Sequence, residues 1–528
     1  MGAALDRRQF LRGVAASGVA AGAGGLITAC GGSSSSTSAT PSAAAAPRYG
    51  GDLKVGLSGS SGADTLDPQA PLTYIDGARA QALYQSLAQL NNQGQMELVL
   101  AEEIAANSPA EWIIRLHQGI TFHSGKPLTA QDVIYSFRRI KTGSNGGAPF
   151  PGSNALGPMD LNGLKALDSR TVLVPFTSPY ASFYDQLAYW YDLYIIPDGF
   201  NPDKQTPNGT GPFVYQSFTP EQRSVFTKNT NFWMHGHPYV NSLTVIDFPD
   251  NTSLQDALTT GVIDAAGGFD GPELEALSTV SGVKIVPSRA GAITPFTMRV
   301  DQSPFNDVRV RQAMRLLVNR PQFIDSAMDG YGWLASDVFS PYDPDFDSSL
   351  HREQDIPQAK FLLKAAGHEN LTVTLVTAPA ATGMVAMATV LKQQAVAAGV
   401  TIEIDEVTPT TFFGKNYRSY TFSQDFYSYT PYLTMVATSM LPTSPFNETH
   451  TNSPTLNSLY LKANQTLDAA VRKEIEFEMQ NYDFNYGGYI IPAFVDALDA
   501  YSTKLTGYSP SAVGQPLSDF DFQNWYFV

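Results

Sequence analysis

The second half of the chain carries the pattern that most constrains its fold, an alternation of strand and helix signals. Residues 371–376 (LTVTLV) and 400–404 (VTIEI) alternate apolar and polar side chains with the two-residue period of a strand. Residues 384–398 between them read as a helix. Another helix precedes them, beginning at Pro357 and ending at Gly367, where Pro and Gly are favoured. A strand–helix–strand order predicts a βαβ unit and therefore an α/β domain.

The first half of the chain shows the same two kinds of signal. Residues 51–57 have the two-residue period of a strand, and residues 112–116 read as another short strand. Thr129 and Asp132 have the spacing of a capping box, and apolar residues follow them at helical spacing. A further helix is predicted to run on from Asp307. We therefore expect α/β architecture along the chain.

The N-terminus reads as an export signal. Arg7 and Arg8 are followed by Phe10 and Leu11, and residues 13–29 are weakly apolar and rich in Gly and Ala. A basic start, an apolar middle and small residues before a cleavage site are the parts of a secretory signal, and the paired arginines resemble the twin-arginine type. Residues 1–29 are therefore predicted to be a signal peptide. The alternative is a membrane anchor, which needs about 20 apolar residues.

Cys30 is the only cysteine of the chain, so an internal disulfide is impossible. Residues 27–30 (ITAC) resemble a bacterial lipobox, which implies that Cys30 carries a lipid and that the protein is held at the outer face of the cell membrane. Where a second membrane is present, this location is the periplasm. Residues 30–47 are rich in Ser, Thr, Ala, Gly and Pro, which predicts a flexible tether. The alternative is a lone cysteine at a chance position.

Length and charge limit the possible folds and partners. About 480 residues follow the tether, more than one hydrophobic core usually supports, so at least two domains are expected. Loss of residues 1–29 removes three arginines and one aspartate, which takes the net charge from −16 to about −18. This acidic surplus argues against nucleic acid and against anionic membrane surfaces as partners.

Short motifs run in order along almost the whole chain after the tether. They are 50–56 (GGDLKVG), 65–68 (TLDP), 112–123 (WIIRLHQGITFH), 124–133 (SGKPLTAQDV), 209–213 (GTGPF), 231–233 (NFW), 304–313 (PFNDVRVRQA) and 359–367 (AKFLLKAAG). Together they resemble the extracellular solute-binding proteins of the peptide and nickel class of ABC importers, often called family 5. Segment 112–123 is the most specific motif, and the order of the motifs adds to their weight.

The resemblance implies an α/β fold in the form of a two-lobed periplasmic-binding-protein clamshell, with an extra domain inserted in the first lobe. Lobe I is predicted to comprise residues 48–90, 206–292 and 494–528, the inserted domain residues 91–205, and lobe II residues 293–493. The chain crosses twice between the lobes, so a hinge motion closes them on a ligand.

The implied function is that of the substrate-binding component of an ABC importer. Such a protein captures a peptide or similar small solute and delivers it to the permease and ATPase subunits. The resemblance implies a monomer that is not an enzyme and uses no cofactor.

The resemblance also implies where the ligand is held. Family contacts fall on the loop after the first strand, on a late segment of the second lobe and near the last crossing between lobes. In this chain these positions are Leu72, Thr73 and Tyr74, then Asp425, Tyr427, Tyr429 and Tyr432, then Phe494 and Asp496. Tyrosine offers a flat apolar face and a hydroxyl, which suit peptide side chains or sugar rings. The alternative for these tyrosines is packing in the core.

Segment 425–432 (DFYSYTPY) departs from the pattern of peptide binders. Those proteins usually carry a Trp followed by an Asp that pairs with the amino terminus of the peptide. Here residues 429–432 occupy that position, and the nearest acid, Asp425, lies slightly early. An oligosaccharide or a capped peptide therefore remains an alternative ligand.

Metal binding and catalysis have weaker signals. His235 and His237 are a possible pair of nickel or zinc ligands. Two ligands without a third nearby are too few for a metal site, so no metal site is predicted. A metal chelate is a minor alternative ligand. The sequence contains no nucleophile elbow, P-loop or zinc-helix motif, so no catalytic residue is predicted.

Two other functional classes of protein stay open. One is a secreted hydrolase, which needs paired carboxylates or a triad in a cleft. The other is a sensor or adhesion lipoprotein with the same clamshell.

Overall fold

The computed structural model describes residues 47–60, 62, 64–71, 73–144, 147–189, 192–202 and 204–528. The predicted signal peptide, Cys30 and nearly all of the predicted tether lie outside the described residues, as does Leu72. Within the described ranges, no helix combines the length and the apolar character needed to cross a membrane.

Strands and helices alternate along the described chain. The strands are β1 (Asp52–Ser58), β2 (Ala88–Leu90), β3 (Met96–Leu98), β4 (Ala101–Ser108), β5 (Glu111–Leu116), β6 (Lys165–Ala166), β7 (Thr171–Pro175), β8 (Phe213–Thr219), β9 (Arg223–Lys228), β10 (Ser242–Phe248), β11 (Ala265–Gly267), β12 (Val283–Ile293), β13 (Phe296–Met298), β14 (Gly332–Leu334), β15 (Thr372–Thr377), β16 (Thr401–Glu406), β17 (Phe422–Gln424), β18 (Tyr489–Ile490), β19 (Ala493–Ser502), β20 (Leu505–Thr506) and β21 (Tyr526–Phe527). The helices are α1 (Tyr74–Leu83), α2 (Ala130–Thr142), α3 (Phe183–Tyr189), α4 (Asn251–Thr259), α5 (Gly271–Ser278), α6 (Val308–Leu316), α7 (Arg320–Ala327), α8 (Ile356–Ala365), α9 (Met384–Ala395), α10 (Pro409–Phe412), α11 (Tyr432–Ser439), α12 (Pro454–Asn464), α13 (Ala469–Tyr486) and the short turn α14 (Pro516–Asp519).

The largest sheet has the strand order β12-β19-β11-β1-β10-β9-β8, and β14 pairs with β19. Strand β1 runs parallel to β10 and β11, while β19 runs antiparallel to β11 and β12. Leu53 and Val55 of β1 are fully buried on either side of the exposed Lys54, as the predicted two-residue period requires, and Gly56 is buried as well. Strand β14 lies in the range predicted for lobe II, yet it joins this sheet. The predicted lobe boundaries themselves stay predictions.

The βαβ unit predicted in the second half of the chain is confirmed. Strands β15 and β16 pair in parallel, and α9 connects them. The helix predicted from Pro357 is α8, which begins one residue earlier. One hydrophobic core joins these elements to α6, α7 and β13, with Phe296, Leu375 and Leu391 fully buried in it.

A four-stranded antiparallel sheet, β4-β5-β7-β6, packs with α2 around a hydrophobic core of its own. The predicted capping box of α2 is confirmed, because the Thr129 backbone N–H donates to Asp132 Oδ2 at 2.8 Å. The helix predicted from Asp307 is α6, and the Asp307 side chain accepts a hydrogen bond from the Arg309 backbone N–H.

Helix α1 is tied to the large sheet by a fully buried arginine. Arg79 donates two hydrogen bonds to the Asp247 carboxylate, at 2.7 and 2.6 Å. Its other nitrogens contact Asp64 at 3.0 Å, Asp76 at 2.9 Å and the Ser224 hydroxyl at 2.7 Å. Paired in this way, the buried charge fixes α1 relative to β10.

Candidate functional site

The first candidate contacts lie at the N-terminal end of α1. Thr73 caps the helix, and its hydroxyl accepts a hydrogen bond from the Asp76 backbone N–H at 3.2 Å. Tyr74 follows, with 38 % of its surface exposed and its phenol hydrogen-bonded to the Ser428 side chain. Loss of bulk water around the phenol raises the pKa of Tyr74, although part of the residue stays exposed.

Tyr429 packs where four separate segments of the chain meet. Its backbone N–H donates to the Val513 carbonyl at 2.7 Å. Its ring, only 2 % exposed, stands edge-on to Tyr342 with 5.7 Å between ring centres. The ring also lies directly against Gly94 and Gly291, where any side chain would meet it at about 3 Å. We call this meeting of Tyr74, Ser428, Tyr429 and their neighbours the junction.

The Asp425 carboxylate is buried and already hydrogen-bonded within the protein. The Tyr417 hydroxyl lies 2.7 Å from Asp425 Oδ2 and 3.0 Å from Glu448 Oε1. The hydroxyls of Tyr427 and Tyr489 donate to Glu448 at 2.5 and 2.9 Å. Burial raises the pKa of both carboxyl groups, Glu448 the more strongly, and the two are in hydrogen-bonding contact. The side chains of Asp425 and Tyr427 thus meet Glu448 rather than standing free at the junction.

Tyr432 starts helix α11 and is 1 % exposed. Its ring stacks on Phe339 with 5.1 Å between centres, and both belong to a hydrophobic core. Its backbone N–H donates to Asp343 Oδ2 at 2.8 Å. The side chain therefore packs inside the protein, the alternative that we left open for these tyrosines.

Phe494 and Asp496 lie on β19 beside β14. Phe494 is 1 % exposed and packs on Trp333, with 4.4 Å between ring centres. Asp496 is half-buried, and burial raises its pKa to about 6. Its Oδ1 has no hydrogen-bond partner among the described residues. The exposed Arg289 guanidinium lies over the Trp333 ring at 4.4 Å, so one cation and one carboxylate flank these aromatic rings.

Sequence reasoning missed several residues that the structure brings to this region. Trp333 donates from Nε1 to the Ala290 carbonyl at 2.8 Å, and the Tyr342 hydroxyl donates to the Arg289 carbonyl at 2.7 Å. The family motifs do not cover these positions. The small residues at 290–292 (AGA) within a strand were an available signal, because glycine in a strand often marks a close approach.

One group of acidic side chains is compact enough to hold a metal ion within the described ranges: Asp343, Asp345 and Glu476, with oxygens within 4.8 Å of one another. Lys473 contacts Asp345 at 3.3 Å, and Arg472 contacts Glu476 at 3.6 Å. Asp345 and Glu476 thus already act as ion-pair partners. The His237 ring Nδ1 lies 3.2 Å from the Gln523 carbonyl.

The sequence of residues 95–455 matches the family model of bacterial extracellular solute-binding proteins, family 5. A relative in Pectobacterium atrosepticum, the glutathione-binding protein GsiB, is 24% identical over 467 residues, which covers 84% of this chain and 89% of the relative. The family resemblance read from the sequence motifs is therefore confirmed.

Solved structures give the same fold. The periplasmic binding protein DppA of Helicobacter pylori, in complex with the peptide STSA, has a TM-score of 0.78 and 21% identity and covers 91% of this chain and 98% of its own. NikA of Staphylococcus aureus, in complex with Ni(L-His)2, has a TM-score of 0.75 and 19% identity and covers 90% of this chain and all of its own. These likenesses confirm the predicted α/β, two-lobed periplasmic-binding-protein fold.

Proposed function

Because the chain belongs to the bacterial extracellular solute-binding proteins of family 5, we propose that it is the extracytoplasmic binding component of an ABC importer. In this role it captures a peptide or similar small solute between two lobes and presents it to the permease. The members of this family are binding proteins, and we propose that this chain acts as one, as a monomer, rather than as a hydrolase or a sensor.

The observation that carries the proposal is the junction, where accessible Tyr74 meets Ser428 across the chain. Tyr74 lies in the range proposed for lobe I, and Ser428 in the range proposed for lobe II. A ligand held beside this contact touches both lobes only when they are closed, so binding shifts the population toward the closed form.

We propose a peptide as the ligand class. A peptide carries an amino and a carboxylate group, and the flanks of the junction offer the Asp496 carboxylate and the exposed Arg289 guanidinium. Asp425 is less suited to hold the amino terminus, because Tyr417 and Glu448 already occupy its carboxyl group. Support comes from the glutathione-binding relative and the peptide-bound structure among the likenesses.

Thermal unfolding of the full chain against peptides, oligosaccharides and nickel–histidine chelates tests this proposal. A ligand that binds only the folded state at 100 times its Kd stabilises it by about 2.7 kcal/mol, so the midpoint rises with peptide concentration. A shift with oligosaccharides alone, or with the chelate alone, contradicts the peptide proposal.

Tyr74→Ala locates the site. We expect it to weaken peptide binding by about tenfold or more, as loss of a central aromatic contact does. Tyr486→Ala, which removes a half-exposed tyrosine from α13, serves as the matched control and should leave affinity unchanged. Equal affinities of both variants and the unaltered protein would exclude Tyr74 from the site.

We also propose that the twin-arginine signal exports the protein and that a lipid on Cys30 holds it at the membrane. Cys30→Ala removes the sole thiol, so we expect the exported protein to move from the membrane fraction to the soluble fraction. Fractionation and mass spectrometry of the mature N-terminus measure this. A membrane-bound Cys30→Ala protein would show that something else anchors it.

A further inference from the structure

A cavity of about 270 Å³ lies between α1, the β2–β3 hairpin and the C-terminal segment 513–524. None of its lining residues comes from 293–493, the proposed lobe II, so it is separate from the junction. The two are neighbours, because Val513 lines the cavity while its carbonyl accepts the Tyr429 N–H.

The acidic and basic side chains that line this cavity are all carboxylic acids, and His237 lies outside the lining but near enough to lower the pKa of Asp521. Glu97, Asp519 and Asp521 line the cavity, and the lining that the structure describes contains no Lys, Arg or His. Most of the other polar lining residues are side-chain amides: Gln81, Gln89, Asn91, Asn92, Gln93, Gln515, Gln523 and Asn524. Amides donate and accept hydrogen bonds but leave the carboxylate charge uncompensated.

Burial desolvates two of these carboxylates, Asp519 and Asp521. Asp519 accepts hydrogen bonds from the Ser511 hydroxyl and from the Gln515 backbone N–H, and burial raises its pKa to about 7. Asp521 accepts from the Asn524 side chain, and burial, together with the charge of Glu97, raises its pKa to about 6. A cation in the cavity restores the electrostatic stabilisation that water no longer supplies.

The shape of the cavity argues for an elongated ligand. A smaller hollow of about 30 Å³ shares six of its lining residues with the cavity: Gln81, Gln89, Glu97, Phe520, Asp521 and Gln523. In the described chain, the three cavity carboxylates do not form a group whose oxygens lie within 4.8 Å of one another, as ligands of a single metal ion do. A bare ion therefore cannot contact all three, whereas a molecule with separated positive groups can.

We propose that this cavity is a second ligand site, which takes an elongated organic cation with amino or guanidinium groups facing Glu97, Asp519 and Asp521. The ammonium or guanidinium groups pair with the carboxylates, and the amides hydrogen-bond to the remaining donors. This site is independent of the solute site proposed at the junction.

Equilibrium dialysis of the full chain with radiolabelled putrescine tests the second site. Putrescine carries two ammonium groups on a four-carbon chain, and 1,4-butanediol is its uncharged counterpart. We expect one putrescine to bind per chain, and unlabelled butanediol not to displace it even at a hundredfold excess. No bound putrescine at millimolar concentration, or displacement by butanediol, overturns the proposal.

Variants locate the binding. Glu97→Gln removes an exposed charge and should weaken putrescine about fivefold, while Asp519→Asn should weaken it about tenfold or more. Glu403→Gln is the matched control on an exposed strand position far along the chain, and Asp496→Asn tests the junction. Both should leave binding unchanged. Equal weakening by all four variants indicates diffuse attraction to the acidic surface, and loss confined to Asp496→Asn places the cation at the junction; either result overturns the proposal.

Discussion

Asp425 and Glu448 show how burial changes the behaviour of single residues. Each carboxyl is within 3.0 Å of the Tyr417 hydroxyl, and Tyr427 and Tyr489 donate to Glu448. Two buried carboxylates in contact cannot both ionise near neutral pH, so the pair retains a proton. The pKa of both groups is raised, with burial as the main cause.

This raised pKa predicts a pH dependence of stability. The unfolded chain releases these protons above about pH 4, while the folded protein keeps one, so the free energy of unfolding falls as pH rises from there through the folded pKa. In Glu448→Gln an amide N–H replaces the shared proton. We expect the free energy of unfolding of this variant to fall less steeply with pH than that of the unaltered protein, by up to about 1.4 kcal/mol per pH unit. Urea unfolding between about pH 5 and pH 8 measures both slopes. Glu403→Gln is the exposed control, and an unaltered slope in Glu448→Gln would mean that no proton is shared.

At the scale of the element, helix α1 is oriented by the buried charge that anchors it. Arg79 is 0 % exposed and meets Asp64, Asp76 and Asp247 at 3.0 Å or less. The helix therefore cannot shift along the sheet without separating these charges. Its N-terminal residue, Tyr74, keeps its place opposite Ser428 for the same reason.

Arg79→Met is expected to lower the free energy of unfolding by at least about 3 kcal/mol, because it leaves buried carboxylates without their cation. Arg115→Met is the matched control. Arg115 pairs with Glu103 at 3.5 Å where both side chains are about half exposed, so its loss should lower that free energy by less than about 1 kcal/mol. Urea unfolding of both variants compares them. Similar values for the two would show that the Arg79 cluster contributes no more than a surface pair.

At the scale of the whole molecule, small residues allow distant segments to close on each other. Gly94 has a φ of +73° in the β2–β3 turn, and a Cβ there would lie 3.1 Å from the Tyr429 ring and 3.3 Å from the Tyr342 Cβ. A Cβ at this position would require its neighbours to move by a few tenths of an ångström, and a branched side chain would require a larger movement. The close approach of the hairpin to segment 425–432 thus favours glycine at position 94.

Gly94→Val should force these segments apart, enlarge the radius of gyration and weaken peptide binding. Gly125→Val separates this effect from backbone strain, because Gly125 has a similar φ of +82° but no atom within 4 Å of an added Cβ. Small-angle X-ray scattering and peptide titration of both variants provide the comparison. If the two variants behave alike, strain in a turn rather than contact at the junction is responsible.

The folded structure places the predicted ligand residues in different surroundings. Tyr74 and Tyr429 lie at the junction, Asp496 lies half-buried beside it, and Tyr432 packs in a core. Their roles in binding remain predictions. Side chains in segment 425–432 turn inward or outward according to partners such as Glu448 and Asp343, and no local pattern reveals those partners.

The sequence by itself determined the order and type of the main elements and the family. Capping residues, Pro and Gly boundaries and hydrophobic periodicity act within a few residues, so they can be recognised in the sequence alone. Only the tertiary structure decided which strands join in the large sheet and which polar groups are buried together. It alone showed the cavity beside α1. These features depend on contacts between residues far apart in the chain, such as Arg79 with Asp247, 168 positions away, and Tyr74 with Ser428, and local periodicity does not encode such contacts.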